Sequence, residues 1–249
     1  MAKIIFLEGS DYVGKSVQLF SIANYIASKG KSLFFTTRSP GGSFLGLSIR
    51  NLLLDKDFNE KSKTCYLSRR LLYAADHAQL IEEINSKLND KNVHYDYILI
   101  DRYNPCSDLA YGALMEDDPA NITKKLKLSE SIYDSFDNSV FLNNETHLVL
   151  MTMPESILEE RSNKVQSSRE RELDVNDMKD LAFKKRILEN YNKLVTIYKY
   201  NSVSGRKGMY RRLNRVICPS NNFHHIFDDG SFSREQMTEK ILEVCNIKE

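Results

Sequence analysis

The stretch Glu8-Gly9-Ser10-Asp11-Tyr12-Val13-Gly14-Lys15-Ser16 decides how the chain is read. From Gly9 to Ser16 it follows the pattern G-x-x-x-x-G-K-[ST]. So short a pattern also arises by chance, so its flanks carry the argument. Upstream, Lys3-Ile4-Ile5-Phe6-Leu7 is an apolar, β-branched run of strand length. Downstream, Val17, Phe20, Ile22, Ala23, Ile26 and Ala27 recur at helical spacing, and Gly30 closes the helix. A tight turn from strand into helix aims backbone N–H groups and the positive helix end at one point, which suits a polyphosphate. Gly9 and Gly14 allow close backbone approach. Lys15 can reach β- and γ-phosphates, and the Ser16 hydroxyl can ligate Mg²⁺.

The 249 residues suffice for one α/β domain with a sizeable core. With 28% charged and 41% hydrophobic residues the composition is that of a globular protein, and a net charge of +1 gives no bulk attraction to nucleic acid or membrane. No apolar run reaches membrane-spanning length and the N-terminus shows no signal-peptide pattern. Cys65, Cys106, Cys218 and Cys245 lack metal-ligand spacing and read as reduced thiols. A cytoplasmic location is expected.

Further strands are expected at Ser32–Thr37, Tyr97–Asp101, His147–Thr152 and Phe223–Phe227. Helical spacing covers Lys63–Leu88, Ser107–Leu114, Glu155–Lys164, Asp177–Tyr200 and Ser233–Cys245. This alternation predicts a parallel sheet flanked by helices, with ligands at the carboxyl ends of the strands. Arg38 and Asp101 fall at such ends. Arg38, ahead of Pro40-Gly41-Gly42, can fork onto a phosphate, and Asp101 suits a Mg²⁺ shell or a reacting hydroxyl. A surface arginine and a strand-end salt bridge are the plain alternatives.

In order along the chain, EGSDYVGKS, TTRSPGGSFLGLSIRNLLL (Thr36–Leu54), LLYAADHAQLIEE (Leu71–Glu83), DRYNPCSDLAYG (Asp101–Gly112), PESILEER (Pro154–Arg161) and ELDVNDMKDLAFKKRILENY (Glu172–Tyr191) resemble the motifs of the thymidylate kinase family. The resemblance implies a P-loop α/β fold with a helical lid. It implies a single nucleoside monophosphate kinase domain over 1–249, with the lid at about 161–175 and a basic insertion at about 201–222. It implies transfer of the ATP γ-phosphoryl group to a pyrimidine deoxynucleoside monophosphate, dTMP first, with ATP and Mg²⁺ as cofactors and a homodimer as the assembly. Helices Lys63–Leu88 and Ser107–Leu114 would supply much of the dimer face.

Residue by residue, the resemblance assigns Gly9, Asp11, Val13, Gly14, Lys15, Ser16 and Val17 to ATP, and Ser16 and Asp101 to the metal. Asp11, Arg38, Tyr73, His77, Arg102, Ser107 and Tyr111 would bind the acceptor, with Tyr73 stacking on the base and Tyr111 beneath the deoxyribose. Lys15, Asp101 and the lid arginines Arg161, Arg169 and Arg171 would carry catalysis. The transferred group is anionic throughout, so positioned cations and water exclusion do that work.

Departures from the family pattern qualify the acceptor. His77 and Ser39 replace an arginine and a glutamate, Val175 replaces a lid arginine, and the spacing from Asp101 to Ala110-Tyr111 is one residue longer than usual. No phosphate-loop arginine follows Asp11, since Tyr12 stands there. His77 opens the alternative of dUMP or a 5-modified deoxypyrimidine monophosphate. A rival of another class is a non-catalytic nucleotide sensor or nucleic-acid-binding protein, favoured by Ser39, Val175 and the basic stretch with Arg206, Lys207, Arg211, Arg212 and Arg215. Nucleic acid is not the expected partner, nor is a membrane.

Overall fold

Alternate residues of the first strand, β1 (Lys3–Gly9), belong to two different cores. Ile4 and Phe6 pack into one apolar cluster and Ile5 and Leu7 into another. A strand buried on both faces needs helices above and below, which is why it reads as a continuous apolar run. The computed structural model describes residues 2–36, 39–55, 57–58, 66–168, 179–204 and 222–247.

Among the described residues five parallel strands form one sheet: β2 (Leu33–Thr36), β3 (Tyr97–Asp101), β1, β4 (Glu145–Thr152) and β5 (Asn222–Phe227), in that spatial order. The helices of the described residues are α1 (Lys15–Ser28), α2 (Phe44–Leu54), α3 (Tyr66–Asn89), α4 (Asn104–Tyr111), α5 (Pro119–Asp134), α6 (Ser139–Leu142), α7 (Glu155–Ser168), α8 (Leu181–Ser204) and α9 (Arg234–Val244). Residues of α3, α4, α5 and α8 fill the cluster on one face, and α1 and α9 fill the other. β1 lies between β3 and β4 with Leu7 opposite Asp101, so the loops leaving β1 and β3 emerge side by side. That carboxyl edge is the ligand-binding edge of such sheets.

All five predicted strands are present, with ends that differ by a residue or two. α4 starts at Asn104 rather than Ser107, because Pro105 fits a helix's first turn. The sequence reading did not mark α2, α5 or α6 as helices. α2 is capped by Ser43, whose Oγ accepts from Gly46 N at 3.0 Å, and α5 by Asp118. Asn201–Ser204, at the start of the expected insertion, belong to α8, and Asn222, at its end, opens β5. Residues 205–221, with the five basic side chains named above, lie outside the described residues.

Candidate active site

The phosphate loop leaves β1 through Gly9, whose φ of +144° suits glycine alone. A Cβ there would stand 2.2 Å from the Met151 carbonyl oxygen. Tyr12 and Gly14 also have positive φ, 66° and 94°. Gly14 caps α1, so the first N–H groups of that helix, from Lys15 onward, have no intrahelical acceptor and face the loop. Lys15 Nζ folds back onto the Gly9 and Ser10 carbonyls at 2.9 and 2.7 Å. Burial, with Arg102 next, lowers its pKa to about 8. Val13 is buried and Val17 is half exposed on the first turn of α1.

Ser16 Oγ donates to Asp101 Oδ2 at 2.8 Å, while the buried Asp101 Oδ1 has no protein partner. A hydroxyl beside a carboxylate with one unpaired buried oxygen is an all-oxygen donor set, and it fits Mg²⁺.

Arg102, at a strained φ of 76°, is turned back over β1. It forms an ion pair with Asp11 and donates to Gly9 O at 3.2 Å and Tyr191 Oη at 3.3 Å. Burial opposes its charge, but Asp11 foremost, then Tyr111, Tyr191 and Glu8, hold its pKa well above the usual range. For Asp11, burial raises the pKa, and Arg102, Lys15 and the Tyr111 hydroxyl outweigh it and hold the carboxyl below the usual range. Tyr111 donates to Asp11 Oδ2 at 2.8 Å, so the extra residue in its motif does not carry it away from the site.

Asp11, Arg102, Ser107, Tyr111 and Tyr73 line one cleft with Pro40, Arg50 and Leu53. Five of the seven expected acceptor residues therefore converge. His77 does not: it is fully buried, with its ring 5.5 Å from those of both Tyr103 and Tyr133, and Phe136 and Phe141 complete the cage. Burial drives its pKa to about 4, and the Asn138 side chain offers only a weak polar contact. The expected reading of a base by His77 therefore has no support in its placement. Arg38, Arg169 and Arg171 lie outside the described residues, as does Val175. Arg161 is on α7, donating to Asp228 Oδ2 at 2.8 Å and to Tyr12 O at 3.4 Å, beside the phosphate loop.

Several site residues escaped the sequence reading. Glu8, in the opening stretch itself, is fully buried and accepts from Gly9 N, Tyr103 N, Ser107 Oγ and Tyr191 Oη at 2.8 to 2.9 Å. A carboxylate ending an apolar strand was the available signal; nothing local marked Tyr191, which arrives from α8. Asp76 takes hydrogen bonds from Ser39 and Asn104, although burial still raises its pKa. Ser39, where the family pattern has glutamate, thus fastens the Pro40 turn to α3. Arg70 pairs with the buried Asp108 and lies 5.0 Å from the Tyr73 ring centroid.

A loop of phosphate-loop pattern between β1 and α1, a serine beside a strand-end aspartate and an adjoining polar cleft, all at the carboxyl edge of a parallel sheet, define the class: an α/β protein of the P-loop type. The family model described as thymidylate kinase matches residues 7–207, and the chain belongs to the thymidylate kinase family. The thymidylate kinase of Prochlorococcus marinus subsp. pastoris is 35% identical over 144 residues, 56% of this chain and 64% of that one. The chain spans about half to two thirds of the length of the curated relatives it first matches. That of Nostoc punctiforme is 26% identical over 245 residues, 98% of this chain and 96% of that one. The crystal structure of thymidylate kinase from Ehrlichia chaffeensis superposes with a TM-score of 0.55 at 19% identity, covering 98% of this chain and 99% of that one, a likeness of fold. Among the described residues no helix is long and apolar enough to cross a membrane.

Proposed function

We propose that the chain is a single-domain kinase that transfers the γ-phosphoryl group of ATP to a pyrimidine deoxynucleoside monophosphate, dTMP first, giving the diphosphate and ADP. The observation that carries the proposal is the common cleft of Asp11, Arg102, Tyr73 and Tyr111, opening directly beside Lys15's loop. Lys15 and the first turn of α1 hold the ATP phosphates. Ser16 and Asp101 hold Mg²⁺, which supplies charge neutralisation for phosphoryl transfer. Arg102 holds the acceptor phosphate, Tyr73 stacks on the base, and the Tyr111–Asp11 pair faces the sugar. Arg161 adds a cation from the helix entering the lid stretch. With His77 buried among aromatic rings, the feature that suggested dUMP or a 5-modified acceptor does not reach the cleft.

A homodimer forms through α2 and α3. Phe44, Leu47, Leu67 and Leu71 on these helices are at least half exposed, whereas Asn104 to Ala110 of α4, expected to join the interface, are buried within the chain. The kinase reading is tested by ADP release with Mg²⁺-ATP over a panel of monophosphates. Turnover confined to deoxypyrimidines supports it.

A further inference from the structure

Tyr12 is the one non-glycine residue at positive φ inside the phosphate loop, and two helices grip it. Side chains disfavour this left-handed conformation, so the surroundings must hold it. From α7, Arg161 Nη1 reaches the Tyr12 carbonyl at 3.4 Å, its guanidinium anchored on Asp228. From the first turn of α8, the ammonium of Lys184 lies 5.2 Å from the centre of the Tyr12 ring. Lys184 is only 6% exposed, and its Nζ donates to Ser162 Oγ at 3.0 Å. Ser162 is itself buried and adjoins Arg161 on α7. One buried lysine thus links α7, α8 and the phosphate loop. An ammonium taken out of water and set over an aromatic face interacts more strongly than an exposed one.

The loop has only Ser10 to Val13 between the end of β1 and the cap of α1. The backbone conformation at Tyr12 therefore fixes where the N–H groups of Gly14, Lys15 and Ser16 point. We propose that Lys184 is a positioning residue for nucleotide binding: it holds Tyr12 through its ring so that the loop amides and Lys15 converge on the ATP phosphates. This inference rests on the reading of Gly9–Ser16 as an ATP loop. It assigns a role to the tyrosine that stands after Asp11 and to a buried lysine on α8.

The test is the affinity of a fluorescent ATP analogue with Mg²⁺, alongside KM for ATP and for the acceptor. The proteins are the wild type, Lys184→Met, Lys184→Arg, Tyr12→Leu, Tyr12→Phe and the double variant Lys184→Met/Tyr12→Leu. Lys184→Met and Tyr12→Leu are each expected to weaken nucleotide binding at least tenfold, with the acceptor KM changed less than twofold. The double variant is expected to be no worse than the weaker single one, because both remove the same contact. Lys184→Arg recovers most of the affinity lost in Lys184→Met, and Tyr12→Phe most of that lost in Tyr12→Leu. Multiplying effects in the double variant, or equal loss for both substrates, would overturn the proposal. Should Lys184→Met fail to fold by circular dichroism, the two Tyr12 variants decide: equal affinity for Leu and Phe overturns it. Absence of nucleotide binding by the wild type refutes the ATP-loop reading itself; wild-type binding with unaffected variants refutes only the role of Lys184.

Discussion

Ser16 Oγ donates a 2.8 Å hydrogen bond to Asp101 Oδ2, joining the start of α1 to the end of β3 across 85 positions of sequence. The contact follows from sheet topology, since β1 and β3 are parallel neighbours with Leu7 opposite Asp101. It draws together the two oxygen ligands proposed for Mg²⁺. Ser16→Ala and Asp101→Asn should each raise the Mg²⁺ concentration for half-maximal rate and lower kcat by at least about a hundredfold, on the order of the ~3 kcal/mol that one positioned electrostatic group supplies. A Mg²⁺ titration of both variants checks this.

The buried Lys15 predicts an alkaline limit. Its pKa is lowered to about 8 by burial and by Arg102, and it must be charged to meet the phosphates. kcat/KM for ATP, which reports the free enzyme, should fall above about pH 8, and Lys15→Arg should move that limb to higher pH while lowering the maximum. The stability effect runs the other way. Below its ordinary value of 10.5 the unfolded chain binds this proton while the folded chain above about pH 8 does not, so this group makes stability rise with pH across that window. A pH–rate profile for ATP read against thermal melts separates the two.

His77 predicts acid sensitivity. Its folded pKa of about 4 lies below its ordinary 6.5, so the unfolded chain binds more protons between these values. Its contribution is fully present above about pH 6.5 and is lost as pH falls toward 4, by up to about 3 kcal/mol. His224 and His225 are lowered to about 4 as well, chiefly by burial, and act in the same direction. His77→Phe should flatten the acid limb of urea-unfolding free energies. His77→Arg should destabilise by several kcal/mol, about the cost of a buried unpaired charge, instead of changing base preference.

The exposed apolar residues of α2 and α3 predict assembly. Phe44 is 90% exposed and Leu71 51%. Phe44→Asp with Leu71→Glu should convert a dimer to a monomer in light scattering coupled to gel filtration. A wild type that is monomeric at micromolar concentration contradicts the proposed interface.

The phosphate loop and β1 were legible because their evidence is local: a spacing of eight residues and an unbroken apolar run. α5 was not, because its buried positions are Leu126, Ser129 and Tyr133, a sparse stripe interrupted by a serine among charged neighbours. The placement of His77 is set by tertiary packing. It follows Tyr73 by one helical turn, but the aromatic rings of Tyr103, Tyr133, Phe136 and Phe141 close around it while Tyr73 lines the cleft. Glu8 was visible but unread: only the fold shows that Tyr191, 183 positions away, donates to it. The Asp11–Arg102 ion pair joins two motifs 91 positions apart, a contact that only the fold shows.

The measurement that bears most directly on the central claim is ADP release from Mg²⁺-ATP with dTMP, dUMP, 5-hydroxymethyl-dUMP, dCMP, dGMP, dAMP and UMP, for the wild type and Arg102→Met. The account predicts turnover with deoxypyrimidines, dTMP highest, and a loss of at least about a hundredfold in kcat/KM for the acceptor in the variant, as expected for removing a charged phosphate contact. No turnover with any acceptor, or turnover that Arg102→Met leaves unchanged, would contradict it.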